Sequence, residues 1–256
     1  MNTESSKELD CIDGQSESDF YAFLLKKAEL YGFEESKRLY WSQYMMDTSR
    51  GKRTVKHILD YFKINYPESY KVLDIGCGFG SLLITLQHHF ERVCGIDIDD
   101  ERVQWAKKRA SGSDVICGNA TKLPWPDGEF DLVISTDVFE HISYEEQHQA
   151  ASDLLRVLKP GGRGYLEVPN RFQLLDEHNR VWFGTWLPDS VHEKYVKFIL
   201  KNESYVPCWE RTGKGWKHLF KSQGFQVSIE PHFFNGHTYL KYFLIPPNRY
   251  KIYLTK

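Results

Sequence analysis

Between Asp19 and Asn65 apolar positions recur every three or four residues, and after that the period changes. In GKRTVKHILDYFKIN (51–65), Val55, Ile58, Leu59 and Phe62 fall at i, i+3, i+4 and i+7, which places all four on one helix face. FYAFLLKKAELYGF (20–33) and SKRLYWSQYM (36–45) carry the same spacing and predict two more helices. From Lys71 short apolar runs take over: KVLDIG, RVCGIDI, DVICGNA, FDLVISTD and GRGYLEVP read as strands. SLLITLQHHF, DERVQWAKKRA and YEEQHQAASDLLRVL alternate with them as helices. Such an alternation predicts an α/β fold, a parallel sheet with helices on both faces. KPGG (159–162) is the expected break between the last of these helices and the strand that follows.

After Pro169 the period is lost. Residues 170–210 are dense in Trp, His, Phe and charge, and are expected to form an insertion after the fifth strand. Long irregular segments inside compact domains are commonly functional. GWKHLFKSQGF resumes a helix, and QVSIEP and RYKIYLTK read as closing strands. Residues 1–18 are dominated by Ser, Glu and Asp and are expected to be a disordered tail. That leaves 19–256 as one domain, with 19–66 as an N-terminal helical cap.

Composition narrows the function. Hydrophobic residues make up 41% of the 256 and aromatics 15%, enough for one sizeable core. The formal charge of −2 gives no global field for nucleic acid or an anionic membrane. The five cysteines are odd in number and none form a C-x-x-C pair, so neither a disulfide framework nor a metal site is expected. His88 and His89 are adjacent on a predicted helix and point in different directions, which also argues against a metal. No signal-peptide pattern or membrane-length apolar run is present. A cytoplasmic protein is expected, with no nucleic-acid or membrane partner.

KVLDIGCGFG (71–80) then raises a question of chemistry. Gly76, Gly78 and Gly80 follow a strand directly. A strand-to-helix turn needs one or two glycines; three suggest a ligand lying against bare backbone, facing helix N-terminal amides. The spacing G-x-G-x-G departs from the dinucleotide fingerprint G-x-G-x-x-G. Asp74 lies two residues before the first glycine and would repel a pyrophosphate. Asp97, in GIDID, ends the next strand 21 residues after Gly76, where a ribose diol is held in such folds. A nucleoside with a positive centre and no pyrophosphate suits both carboxylates. The plainer alternative is that Asp74 caps its turn and Asp97 caps the following helix.

VLDIGCGFG, GIDID, GNATKLPWPDGEFDLVISTDVFEHI and LLRVLKPGGRGYLEVPN, in this order, resemble the successive motifs of class I S-adenosylmethionine-dependent methyltransferases. FEHI and LKPGG resemble the small-molecule branch, which includes ubiquinone-type O-methyltransferases. The resemblance implies a Rossmann-like doubly wound sheet, mostly parallel with an antiparallel closing strand. It implies S-adenosylmethionine as cofactor, S-adenosylhomocysteine as product and a small-molecule acceptor. Asp74, Gly76, Cys77, Gly78 and Gly80 would face the methionine part. Asp97 would take the ribose hydroxyls and Ile98 would pack on the adenine. Asn119 would accept from adenine N6 and Ala120 would offer a backbone N–H to N1. Thr136 and Asp137 would lie near the amine and the reacting methyl.

For the chemistry, methyl transfer needs placement more than proton transfer. His141, with Glu140 beside it, is the candidate base for a hydroxyl acceptor; the alternative is a helix-entry histidine bonded to backbone. The insertion offers His178, Arg180, Trp186 and Tyr195 for the acceptor, with Arg171, Trp182 and His192 nearby. PNR, a His and WLP resemble methyltransferases encoded with surface-polysaccharide enzymes. Arg38, Tyr40, Trp41, Tyr44, Arg50 and Arg53 offer a second wall, where an Arg or Tyr would pair with the methionine carboxylate. Two rival readings are an RNA or protein methyltransferase and an inactive cofactor-binding protein. The oligomeric state is left open.

Overall fold

The structure, a computed structural model, describes residues 14–176, 178–201, 205–233 and 246–256. Three helices come first: α1 (Gly14–Leu30), α2 (Glu35–Met46) and α3 (Ser49–Phe62). The alternating region follows as β1 (Lys71–Ile75), α4 (Ser81–Leu86), β2 (Arg92–Asp97), α5 (Asp100–Arg109), β3 (Asp114–Cys117), β4 (Phe130–Thr136), α6 (Tyr144–Val157) and β5 (Leu158–Pro169). After the insertion, with its helix α7 (Asp189–Ile199), come α8 (Gly213–Ser222), β6 (Gln226–His232) and β7 (Arg249–Thr255).

The seven strands form one sheet in the order β3-β2-β1-β4-β5-β7-β6. Every pairing is parallel except those of β7, which runs antiparallel to β5 and β6. The doubly wound sheet expected from the alternation is therefore present, with its one antiparallel strand. The order reverses between β1 and β4, and ligands of such sheets bind outside the carboxyl ends at that reversal.

Alternation along the strands sorts side chains to opposite faces. Leu73, Ile75, Cys94, Ile96 and Val133 pack with residues of α6 and α8 on one side. Val72, Val93, Leu132 and Ile134 pack with α3, α4 and α5 on the other. The α3 stripe behaves as its spacing predicts: Val55 and Ile58 are buried, and Leu59 and Phe62 pack against the same cluster.

Four local expectations change. Residues 14–18 of the expected tail are helical, and Glu17 pairs with Arg109 across 3.0 Å; residues 1–13 lie outside the described residues. Helix α4 ends at Leu86, so His88 and His89 sit in a turn. KPGG is a bulge within β5, since the register slips from Phe130↔Leu158 to Leu132↔Arg163 and Gly161 takes φ +75°. The insertion is not irregular throughout: it holds α7 and a short 3-10 turn at Gly184–Trp186. Its core is polar. Asp176 accepts from Asn179 Nδ2 at 3.0 Å and meets His192 Nε2 at 3.0 Å, while Val206 N donates to Asn179 at 2.9 Å. A segment held by buried polar contacts shows no clear apolar period, which is why its helix was not legible.

Helix α1 is fastened through one cation. Arg109 at the end of α5 is 2% exposed. It bonds Glu17, donates to Phe79 O at 2.8 Å and lies 4.1 Å from the Phe20 ring centroid. Removing one partner of a buried ion pair leaves the other uncompensated. Arg109→Ala is expected to lower the unfolding free energy by about 3 kcal/mol. Urea denaturation checks it; a loss under ~1 kcal/mol would class the pair with ordinary surface contacts.

Candidate active site

The loop after β1 turns sharply because Gly76 N and Cys77 N both donate to Ile96 O, at 2.7 and 3.0 Å. Gly76, Gly78 and Gly80 have φ of +74°, +53° and +81°, a region that costs side-chain-bearing residues about 1–2 kcal/mol. Their surroundings differ. A Cβ on Gly76 would stand 2.1 Å from Val138 Cγ2, and one on Gly80 would stand 3.1 Å from Ala106 Cα. A Cβ on Gly78 would meet nothing within 4 Å. Two glycines thus serve packing, and the middle one fronts open space.

Two carboxylates flank that space. Asp97 accepts from Gly78 N at 2.8 Å and from Asp99 N at 3.0 Å. Asp99, not Asp97, caps α5, accepting from Glu101 N and Arg102 N. Asp97 is anchored to the loop itself, and its carboxylate retains lone-pair sites for further donors. Asp74 is 2% exposed, and no donor among the described residues bonds its carboxylate. Burial, and after it the charge of Asp97, hold its pKa well above the ordinary carboxylate value. A cation brought to Asp74 relieves both effects.

Other expected cofactor contacts fare unevenly. Ile98 is 72% exposed at the mouth of this region, available for a flat apolar partner. Ala120 packs against the core. Asn119 Oδ1 already accepts from Thr121 N at 2.9 Å and Thr121 Oγ1 at 3.0 Å, so the oxygen expected to meet adenine N6 is engaged by its own turn. The Cys77 side chain is buried, with Sγ 3.0 Å from where a Cβ on Gly95 would sit. Only its backbone reaches the loop surface, and burial pushes its thiol pKa up.

Thr136 ends β4, and Asp137 follows it in the left-handed region at φ +60°. Arg50 Nη2 of α3 meets Asp137 Oδ2 at 2.7 Å and Glu167 Oε2 at 3.2 Å, and its Nη1 donates to Tyr44 Oη at 3.3 Å. Arg249 of β7 pairs with Asp137 Oδ1. Burial, then the nearby Arg50 charge, lower the Arg249 pKa to about 9. Burial is the largest influence on the Arg50 charge and works against it, but Glu167 and Tyr44 together outweigh it and the net shift is upward. Arg50 was a candidate from sequence; Arg249 and Glu167 were missed. Because β7 is antiparallel, its first residue lies beside the carboxyl end of β5, in the register Pro169↔Arg249. That placement is the signal that would have found Arg249.

A second cluster lies past β4. The turn Phe139–His141 carries Glu140, which is fully buried, and His141. His178 packs edge-on against His141 with ring centroids 4.7 Å apart. His178 Nε2 is 3.6 Å from Glu140 Oε1, and Cys208 Sγ is 3.7 Å from His141 Nδ1. Burial lowers the His141 pKa, against the pull of Glu140. Cys208 was not singled out by sequence.

The remaining acceptor candidates do not join this cluster. Arg180 is exposed at φ +57°; its backbone N donates to Asp176 O at 2.8 Å, and no side-chain hydrogen bond or ion pair of Arg180 is seen among the described residues. Trp186 Nε1 donates to Gln173 O at 2.8 Å, and its ring packs on Phe172 and Phe183. Tyr195 Oη donates to Trp182 O at 3.0 Å. Arg171 is engaged by Tyr144 and Asp189, and His192 by Asp176. These aromatics largely pack the insertion against itself.

Comparison with known proteins decides the family. Residues 73–166 match the family described as "Methyltransferase domain". A demethylmenaquinone methyltransferase of Thermotoga maritima is 30% identical over 203 residues, covering 74% of this chain and 82% of that protein. The chain belongs to the class I S-adenosylmethionine-dependent methyltransferases. A probable S-adenosylmethionine-dependent methyltransferase of Mycolicibacterium smegmatis is 37% identical over 100 residues, spanning 39% of this chain but only 38% of that protein. The PH0226 protein of Pyrococcus horikoshii shares the fold, with a TM-score of 0.56 at 24% identity over 80% of this chain and 91% of that one. S-adenosylmethionine is accordingly the cofactor. The open cradle at Gly78 and the donor-free Asp74 fit it, since the ligand brings an ammonium and a sulfonium. No helix among the described residues is long and apolar enough to cross a membrane.

The raised Asp74 pKa has a consequence for this methyltransferase without ligand. The folded state holds a proton that the unfolded chain releases, so stability falls as pH rises from the ordinary carboxylate value through the raised one. Asp74→Asn is expected to flatten that slope, stabilise the ligand-free protein near neutrality and weaken S-adenosylhomocysteine binding. Thermal melts across pH, with calorimetry, check it; identical slopes in both proteins would contradict it.

Proposed function

We propose that this enzyme transfers the methyl group of S-adenosylmethionine to an oxygen or nitrogen of a small molecule. The observation that carries this reading is the loop cradle bounded by Asp74 and Asp97, joined directly to the end of β4 through the Gly76–Val138 contact. When bound, the cofactor supplies an activated methyl group. The chain's residues do the placing. Asp97 and the Gly78 amide fix the loop, Asp74 receives positive charge, and Ile98 covers one side. Asp137, clamped between Arg50 and Arg249, sets the floor where the acceptor enters. Helices α2 and α3 and the insertion wall that entrance.

Glu140 has no exposed surface and is not placed to exchange a proton with an acceptor. Proton removal is not assigned to His141, whose Nδ1 faces the Cys208 sulfur. An amine that loses its proton before binding needs no protein base, so placement alone suffices for it.

The finer reading is a sugar or phosphorylated metabolite of surface-polysaccharide assembly. Its support is the PNR, His and WLP pattern of the insertion. That the Thermotoga relative is named for a small-molecule acceptor supports the broader class.

The test is purified protein with methyl-labelled S-adenosylmethionine and an extract of sugar and phosphorylated metabolites. Label is expected in a small molecule. Asp97→Ala is expected to abolish that transfer and weaken S-adenosylhomocysteine binding by about 1.5–3 kcal/mol, as for hydrogen bonds to a charged group. Label appearing only in RNA or protein would replace the acceptor class; unchanged affinity in folded Asp97→Ala would remove Asp97 from the site.

A further inference from the structure

The cluster past β4 has geometry that methyl transfer does not use. Its four side chains come from three places in the chain: Glu140 and His141 from the turn after β4, His178 from the start of the insertion, and Cys208 from its end. One ligating atom each from His141, His178 and Cys208 lie within 4.8 Å of one another. We propose that His141, His178 and Cys208 together bind one zinc-class divalent cation, with the buried Glu140 beside His178 as counter-charge.

Three observations carry this. The first is spacing. A tetrahedral zinc with bonds of about 2.3 Å to sulfur and about 2.0–2.2 Å to nitrogen and oxygen keeps its ligand atoms roughly 3.3–3.6 Å apart. His141 Nδ1 to Cys208 Sγ is 3.7 Å, and His178 Nε2 to Glu140 Oε1 is 3.6 Å. The first separation suits one edge of the coordination sphere, and the second places Glu140 beside His178, next to the three-residue cluster. The second observation is Glu140. Its side chain is 0% exposed, and among the described residues neither carboxylate oxygen has a hydrogen-bond donor. A buried carboxylate without a donor is costly unless a cation compensates it. The third is charge. A thiolate, a carboxylate and two neutral imidazoles sum to the charge that one divalent cation cancels.

The donor types select the ion. Thiolate and imidazole favour zinc or cobalt over magnesium or calcium. Three protein ligands leave a fourth tetrahedral position for a water. Binding releases the Cys208 thiol proton, and the ion ties both ends of the insertion to the turn after β4. The backbone already joins them there, since Trp209 N donates to Glu140 O at 2.6 Å. The site does not depend on which acceptor is methylated. The sequence offered no metal pattern because the ligands stand at 141, 178 and 208, and only the fold unites them.

The experiment uses the full chain purified without chelator. Elemental analysis is expected to give close to one zinc per chain. After zinc removal, Co²⁺ titration is expected to give the intense visible bands of a tetrahedral site and a thiolate-to-cobalt charge-transfer band. Cys208→Ser is expected to lose the charge-transfer band and Glu140→Gln to bind Co²⁺ more weakly, with circular dichroism confirming fold. If Cys208→Ser does not fold, His178→Gln is expected to lose the tetrahedral bands instead. A metal-free protein with no Co²⁺ bands, an octahedral spectrum without charge transfer, or equal zinc binding by the wild type and folded ligand variants would overturn the proposal.

Discussion

The site is organised around two carboxylates that fold together at a cost. Asp74 and Asp97 end adjacent strands, both nearly buried, and their like charges work against ionisation of Asp74. Asp97 is held by the Gly78 and Asp99 amides. Asp74 has no such compensation among the described residues. The sheet brings the two together because β1 and β2 are neighbours in register, with Asp74 opposite Gly95 and Ile75 opposite Ile96. An arrangement that lowers stability without ligand suits a site that gains most when a cationic ligand arrives.

The rest of the molecule supports that pair from both chain ends. Arg109 reaches from α5 to Phe79 O in the glycine loop and to Glu17 in α1, so the N-terminal cap and the loop share one buried cation. Arg50 from α3 and Arg249 from β7 meet at Asp137, where β4 ends. The cap, the closing strand and the catalytic end of the sheet are therefore linked by charge-assisted contacts. These arginines join both terminal regions to the site beside the apolar contacts of Phe20 with Phe79 and of Ile252 and Leu254 with the core.

Much of this was legible in the sequence where one simple period or one local motif carried it. The α3 stripe, the strand–helix alternation, the bare loop and the acid at the end of β2 all rest on local spacing. The misses share a cause: they depend on residues far apart in sequence. Arg249 gains its role from antiparallel register and Cys208 from the path of the insertion. Asn119 shows a local contact that its motif did not reveal. Its side chain closes a turn onto Thr121, as short amides commonly do. The glycines were read as one feature, but the structure divides them between packing and an open cradle.

The central claim is that the buried pair is completed by the positive charge of the ligand. The most direct measurement compares S-adenosylhomocysteine with 5′-methylthioadenosine, which keeps the nucleoside thioether but lacks the ammonium. Both are titrated calorimetrically in buffers of different ionisation enthalpy, at a pH below the raised Asp74 value. The account predicts proton release with S-adenosylhomocysteine and none with the truncated ligand, because only the former drives Asp74 to ionise. Equal proton exchange for the two ligands, or none for either, would contradict it.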